Sequence, residues 1–570
     1  MHYHRMKLLA AVVLSGVLLL SHPASADASK LYRERLYEPV VLKQSLLQSF
    51  YGVPVGEMYL YAWSDSTQSW RLMPFQVDER VVMAEPNPLF GTKVRIFYAI
   101  SDLTPDDGLF DADDELAFML RDMGDQAPGK RWIDNDEAKK FERLEIRLYD
   151  RHDYDKAAFA YLFRSTTITE AVPTPYEFRY FPEKDSLSSR YYNVAIDKEF
   201  GILKTIQINP PFGTGVDIFD RQKIMINGTA LISGFNVPLN SRNEYYLKVY
   251  PDYLGYTKKP VVRLVRETHQ TVRLGDEELE QKVAFYVPIK FYPFCGSLEG
   301  GVALDVESIN EQFPEGELKL FLNNIRQSWD LSPKAHGMRL YSTYNDGLLI
   351  DGIPDTYNKR LDKPVSEWIL ATGAQGALFS VTAYPDTVAE FYYHDNSAGG
   401  IGDAAIFKGA KDTGDMMSWG DHGFSMNKPN SLQLAFLMYF LPAGFNDRAK
   451  AEALYHHILE PALPATFTGV TVHERSGIAD HRLLYNYPNP FNAGTRLTFE
   501  TARPERLHCA IYAVNGRRVA VVAERHFSAG RHELVWEGRD QAGDALPSGV
   551  YIAVVQGASV RMERKLLLLR

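Results

Sequence analysis

The most concentrated chemistry in this chain lies between positions 101 and 115, where Asp106, Asp107, Asp111, Asp113, Asp114 and Glu115 crowd around Gly108. Closely spaced carboxylates on a bend supply what Ca2+ requires, several hard oxygen ligands directed inward. The glycine and the terminal acid are off register for a helix–loop–helix calcium motif. The plainer alternative is a solvated acidic turn ahead of a strand. A second group joins acid–base chemistry to aromatic rings: Tyr393, His394 and Asp395 precede a Gly-rich stretch, and Asp421 and His422 follow it. A histidine beside carboxylates acts as a base or a metal ligand, and exposed Tyr and Trp rings stack on sugars. Together these residues could line a saccharide cleft; as edge residues of a sandwich they would instead bond the backbone. The loop from 345 to 355, with Asp346, Asp351 and Asp355 among glycines, is a less charged version of the first, and Asx–Gly pairs also make turns on their own account.

Several familiar sites are excluded. No CxxC, HExxH or GxSxG occurs, which removes the usual zinc and nucleophile-elbow chemistries. Positions 124 to 130 have the GxxxxGK spacing of a phosphate loop, but Arg131 stands where the Mg2+-binding hydroxyl belongs. A net charge of −10 argues against a nucleic-acid partner. The two cysteines, Cys295 and Cys509, fall in separate sections, and so few thiols suit a chain exported through an oxidising compartment.

The elements that must position these residues are mainly strands. The chain holds 33 Tyr and 31 Phe, residues that favour pleated, half-buried surfaces. From 27 to 140 a β-rich section is expected, with a hairpin over 56 to 77 that carries Trp63 on one arm and Trp70 on the other. From 141 to 303, long aromatic-bearing strands suit a large sandwich. From 304 to 475 strands mix with Gly-rich loops. One helix is expected over 447 to 459, capped by Asn446 or Asp447, with Ala451, Leu454, Tyr455 and Ile458 as its apolar stripe.

The section from 484 to 570 alternates apolar and polar residues in short runs separated by Asn-Gly, Asp and Gly turns, the pattern of a small antiparallel sandwich. It opens on Asn486-Tyr487-Pro488-Asn489-Pro490-Phe491, carries Asn515-Gly516-Arg517 in its middle, and closes on Gly549-Val550-Tyr551 and Lys565. These blocks, in this order, resemble the type A C-terminal sorting domain of cargo for the bacterial type IX secretion system, and the related FlgD-like Ig-type fold. Ala493 departs from the proline common in such tails. The resemblance implies a partner in the secretion machinery of the outer membrane and removal of the tail on export; it implies nothing about the chemistry of the rest. The other end agrees. Arg5 and Lys7, an apolar run from 8 to 20 and Ala24-Ser25-Ala26 read as a signal peptide over 1 to 26. No later run is long and apolar enough for a transmembrane helix.

The expectation is therefore a mainly β, multi-domain sandwich protein with an Ig-like C-terminal sandwich, secreted or held at the outer cell surface by way of the periplasm. Its expected role is non-catalytic binding of a polymer, with polysaccharide as partner and Ca2+ as structural support. The alternative is a secreted carbohydrate-active enzyme. A hydrolase would need two carboxylates flanking the sugar, and a lyase a Tyr or His base beside a cation. An adhesin or envelope component without a small ligand is a third reading.

Overall fold

The structure, a computed structural model, describes residues 30–568 except 88–90, 99–107, 113, 130, 154, 199–202, 233–234, 241–248, 258, 275–280, 306–317, 359–365, 384–388, 397–418, 428–430, 469–481, 488–490, 492–493, 502–503, 514–516, 529, 548 and 558–560. The expected leader, together with Asp106, Asp107, Asp113, Pro488, Asn489, Pro490, Asn515 and Gly516, lies outside the described residues.

The chain is mainly β and forms several antiparallel sheets, as a multi-domain sandwich should. Near the N-terminus a five-stranded sheet runs in the order Leu463–Thr468, Leu144–Tyr149, Ala157–Arg164, Met58–Ser64, Ser69–Leu72. Its alternating residues split between two cores. Leu60, Ile146 and Leu162 face one, and Tyr61, Tyr161 and Phe163 face the other. The expected hairpin is here, with Trp63 and Trp70 as register partners and ring centroids 5.2 Å apart. Its return arm leaves the ladder at residues 73–75, where Pro74 has no N–H to donate. Gly124 approaches this sheet so closely that a Cβ there would stand 2.2 Å from the Trp63 carbonyl oxygen. That glycine serves backbone packing rather than a phosphate.

One edge of the sheet comes from far along the chain. Leu463–Thr468 pairs with Leu144–Tyr149 in unbroken antiparallel register. Arg35 reinforces the junction by donating to the carboxylates of Glu38 and Asp150 and to the carbonyl of Glu460, and the Ala462 N–H donates to Glu38.

The middle of the chain builds two larger sheets over one core. The nine-stranded sheet runs Val249–Tyr256, Leu264–Leu274, Gln281–Phe291, Cys295–Asp305, Ser431–Leu441, Gly376–Ala383, Ser366–Gly373, Arg339–Ser342, Asp346–Leu349. A central five-stranded sheet runs Phe235–Asn240, Phe219–Ile232, Leu318–Leu331, Trp419–Asn427, Ala389–His394. Trp329 and Tyr393 of the second sheet share a core with Phe379 and Phe440 of the first. The expected division at 303 falls inside the nine-stranded sheet, because Cys295–Asp305 pairs with Ser431–Leu441. Periodicity marks a strand without naming its neighbour. The expected helix is Arg448–Leu459. The Asp447 side chain accepts from the Lys450 N–H at 2.8 Å, and Ala451 and Leu454 are buried against the shared core.

A buried ionic node ties the N-terminal section to the nine-stranded sheet. Arg263, 0% exposed, donates through Nε to Asp78 at 2.6 Å and through Nη2 to Glu115 at 2.7 Å. Glu115 also pairs with Arg80 at 2.9 Å. The Gln76 side-chain Oε1 accepts from the N–H groups of Val261 and Val262 beside them. Burial pushes the Glu115 carboxyl up, but the charge and hydrogen bond of Arg263, followed by Lys290 and Arg80, prevail and hold it below its ordinary value.

The tail is a two-layer sandwich. Arg482–Tyr487, Thr495–Thr501 and Gly530–Trp536 form one sheet, and Arg518–Phe527, Glu505–Ala513, Gly549–Gln556 and Arg561–Leu568 the other. Its core is drawn entirely from residues 491 to 568, among them Leu497, Ile511 and Val555.

Candidate functional site

The acid–base residues predicted from sequence meet on one hairpin of the central sheet, yet on opposite faces. Tyr393 lies opposite His422, and His422 opposite Trp329, so these three share a face. His394 lies opposite Asp421, and this pair occupies the other face. Asp395 follows the strand and turns toward the loop at 351.

Each environment restricts what its group can do. The His422 Nδ1 is 2.9 Å from the Gly420 carbonyl, the ring lies 6.1 Å from that of Trp329, and the side chain is buried. With Nδ1–H donating to that carbonyl, the lone pair resides on the buried Nε2. Burial holds the imidazole below its ordinary pKa, against the opposing pull of Gly420 and Asp421. His422 is thus a neutral core histidine. For Tyr393, burial comes first, then the charges of Asp395, Asp355 and Asp351; together they raise the phenol far above its usual range, so it stays protonated at neutral pH. A phenol of that kind is a poor general base. Asp395, 1% exposed, accepts from the Asp351 N–H at 2.7 Å and the Gly352 N–H at 2.9 Å. Its carboxylate clamps the loop, with Gly352 at φ +82°. The His394 ring stacks on Tyr392, centroids 5.2 Å apart.

This clamp brings together residues the sequence reading had kept apart. Asp351 and Asp355 belong to the second acidic loop and now stand close enough to Asp395 to perturb it electrostatically. Burial and the charge of Asp351 raise the Asp355 carboxyl. Tyr357 lies 6.2 Å from Tyr393, and Tyr344 and Ile353 are 48% and 59% exposed along the same loop region. The surface above the hairpin is therefore acidic and aromatic, while the hairpin's own polar groups lie beneath it.

The first acidic loop is only partly described. Asp114 is fully buried, and its Oδ2 reaches back to accept from the Asp111 N–H at 2.7 Å while its own N–H donates to the Asp111 carbonyl, which closes the turn on itself. Glu115 points inward to Arg80 and Arg263, so the strand that begins there directs it away from the loop. Among the described residues no cluster of three or more Asp, Glu, His or Cys side chains is placed to hold a metal ion.

A cavity of about 360 Å³ lies elsewhere, between the segment 34 to 39 and the helix Arg448–Leu459. Tyr37, Tyr439, Phe445 and Leu454 line it, with Glu38 and His457 at its polar side. Burial, followed by the charge of Arg35, pushes the His457 imidazole down to about 4. The unfolded chain therefore binds a proton below about pH 6.5 that the folded chain refuses until about pH 4. The resulting stabilisation is complete above pH 6.5 and is lost as pH falls through that window. His457→Gln is expected to flatten the stability profile between these two pH values, read from chemical denaturation at a series of pH values.

In the tail, Phe491 and Tyr551 of the blocks quoted from sequence pack in the core. The Phe491 ring packs 5.5 Å from Trp536, and Tyr551 packs on the same indole at 5.4 Å. The Tyr551 hydroxyl donates to the Pro547 carbonyl at 2.9 Å. Gly549 opens one strand, Asn486 lies in another and Lys565 in a third. Arg517 is exposed, and its carbonyl accepts from the Ala513 N–H to close the hairpin.

No known family profile matches this chain. No curated protein matches it either. Among solved structures, dimeric latent PorU from Porphyromonas gingivalis aligns at 12% identity with a TM-score of 0.16, over 94% of this chain and 48% of that one. This chain thus spans about half the length of that protein, and a likeness of this size carries no argument.

Proposed function

We propose that this is a secreted or cell-surface β-sandwich protein, exported by a type IX-like route through its C-terminal sandwich, and that its body binds a polymer, polysaccharide in the first instance, without catalysing a reaction. The observation that carries the export reading is the tail's closed core. A module whose apolar residues bury one another needs nothing from the body to fold, as a portable address requires. The motif residues Phe491 and Tyr551 supply that core, on either side of Trp536.

The non-catalytic reading is supported by the hairpin. Its histidine is buried and neutral, its tyrosine is held protonated, and its aspartate is committed to two backbone N–H groups. The exposed Tyr344 and Ile353, beside Asp351 and Asp355, offer a surface for a polymer rather than a closed reaction site.

The test is a secretion assay in a bacterium that carries the type IX machinery. Removing residues 482–570 is expected to strand the protein in the periplasm, and grafting them onto a periplasmic reporter to carry it outside. A truncated protein that still reaches the medium ends the sorting reading. Glycan-array binding by the body, with loss on Tyr344→Ala, tests the polymer. Turnover of any arrayed glycan favours the enzyme instead.

Ca2+ support falls to Asp106, Asp107, Asp111, Asp113 and Asp114, since Glu115 is paired with two arginines. Calorimetric titration is expected to show saturable Ca2+ binding, and chelator to lower the melting temperature. A melt unchanged by chelator reduces the loop to an acidic turn.

A further inference from the structure

Arg143 stands apart from the other buried arginines of this chain. It is 1% exposed, and it enters the strand Leu144–Tyr149 beneath an aromatic cluster. Its guanidinium carbon lies 4.9 Å from the ring centroid of Tyr161, 5.3 Å from that of Trp132 and 5.9 Å from that of Trp70. Those ring faces stabilise the cation from the sides. Nη1 donates to the Arg131 carbonyl. Nε and Nη2 are buried and have no hydrogen-bond partner among the described residues.

Nε and Nη2 form the edge of a guanidinium that grips an anion with two parallel N–H bonds. The same protein shows that edge in use. Arg266 grips both oxygens of Asp185 with it, and Arg263 divides it between Asp78 and Glu115. On Arg143 the edge meets no acceptor among the described residues. Glu145 is near enough for its charge to be felt, but it makes no ion pair with Arg143 and instead accepts from Gln126. The indole N–H groups of Trp70 and Trp132, on two of the three rings around the cation, are also buried without acceptors among the described residues. Four donors in one cluster, one side chain fully charged at any ordinary pH, call for an acceptor that bears negative charge.

We propose that this niche is a structural anion site that holds a small monovalent anion, chloride in ordinary media, against the Nε–Nη2 edge of Arg143. The near-complete burial of the side chain selects the size of the ligand: a halide fits an enclosed niche where an anion with an organic body does not. The site is independent of the export and polymer readings, and it lies in the other face of the N-terminal sheet from the Leu60 core.

The test uses the chain from residue 27 onward, tail included. Melts are taken while gluconate is exchanged for chloride at constant ionic strength. The wild type is expected to gain about 3 °C and then saturate, as a ligand bound only by the folded state requires. Arg143→Met, of similar length and without charge, is expected to show no such gain. Equal slopes in the two proteins, or a flat wild type, overturn the site. If the variant does not fold, crystals of the wild type grown in bromide decide. An anomalous peak between Nε and Nη2 supports the proposal, and an ordered water there without bromide overturns it.

Discussion

Arg263→Ala is expected to lower folding stability by about 3–5 kcal/mol at neutral pH, because it takes from the buried Asp78 the cation that Nε supplies and leaves Glu115 with only the Arg80 half of its pairing. The loss should fall on the junction between the N-terminal section and the nine-stranded sheet. The dependence on pH separates lost charge pairing from lost packing. Glu115 has a folded pKa below its ordinary value of 4.5, so its contribution is complete above that value and disappears as pH falls through the folded one. In the variant, Glu115 keeps only Lys290 and Arg80 to oppose its burial, so its carboxyl rises and protonates more readily. The gap between wild type and variant should therefore narrow as the solution is acidified below the carboxylate range. Denaturant titrations at neutral and acid pH measure it. A gap that stays constant with pH would assign the loss to packing.

Trp329→Ala should be comparably severe. Trp329 is 1% exposed in the largest core, in register with both His422 and Gln222. Removing a buried indole leaves a void and costs about 3–5 kcal/mol. A second consequence is local. Burial is what holds the His422 imidazole down, so admitting water beside it should raise its pKa toward the ordinary 6.5. NMR titration of the histidine ring protons reads that shift. If stability falls and the His422 titration does not move, the void has closed by collapse rather than filled with solvent.

Local features of this chain were legible because they depend on neighbours in sequence. The helix Arg448–Leu459 announces itself by its stripe and its Asp447 cap, and the tail strands by alternation between turn residues. The hairpin at Tyr393 and His422 was approached as a cluster because its members lie within thirty positions of one another. What the sequence hid was long-range pairing. Cys295–Asp305 carries nothing that names Ser431–Leu441 as its partner, and Asp395 nothing that names Gly352. Charge was the other blind spot. In the run from 261 to 267, which reads as a strand, Arg263 and Arg266 are charged residues three apart, hence on opposite faces, and nothing local marks either face as buried. Both are buried, because carboxylates from 78, 115 and 185 arrive from other elements to meet them.

The edge strand Leu463–Thr468 imposes an order in time. The N-terminal sheet needs it against Leu144–Tyr149, and Arg35 needs the Glu460 carbonyl across a separation of 425 residues. During synthesis the first half of the body must wait, with one sheet edge open, until residue 468 has emerged. Such non-local closure slows folding and prolongs the exposure of an unpaired edge. Under the export route proposed above that delay would be useful, since a body unable to finish folding early stays threadable until its last strand has passed.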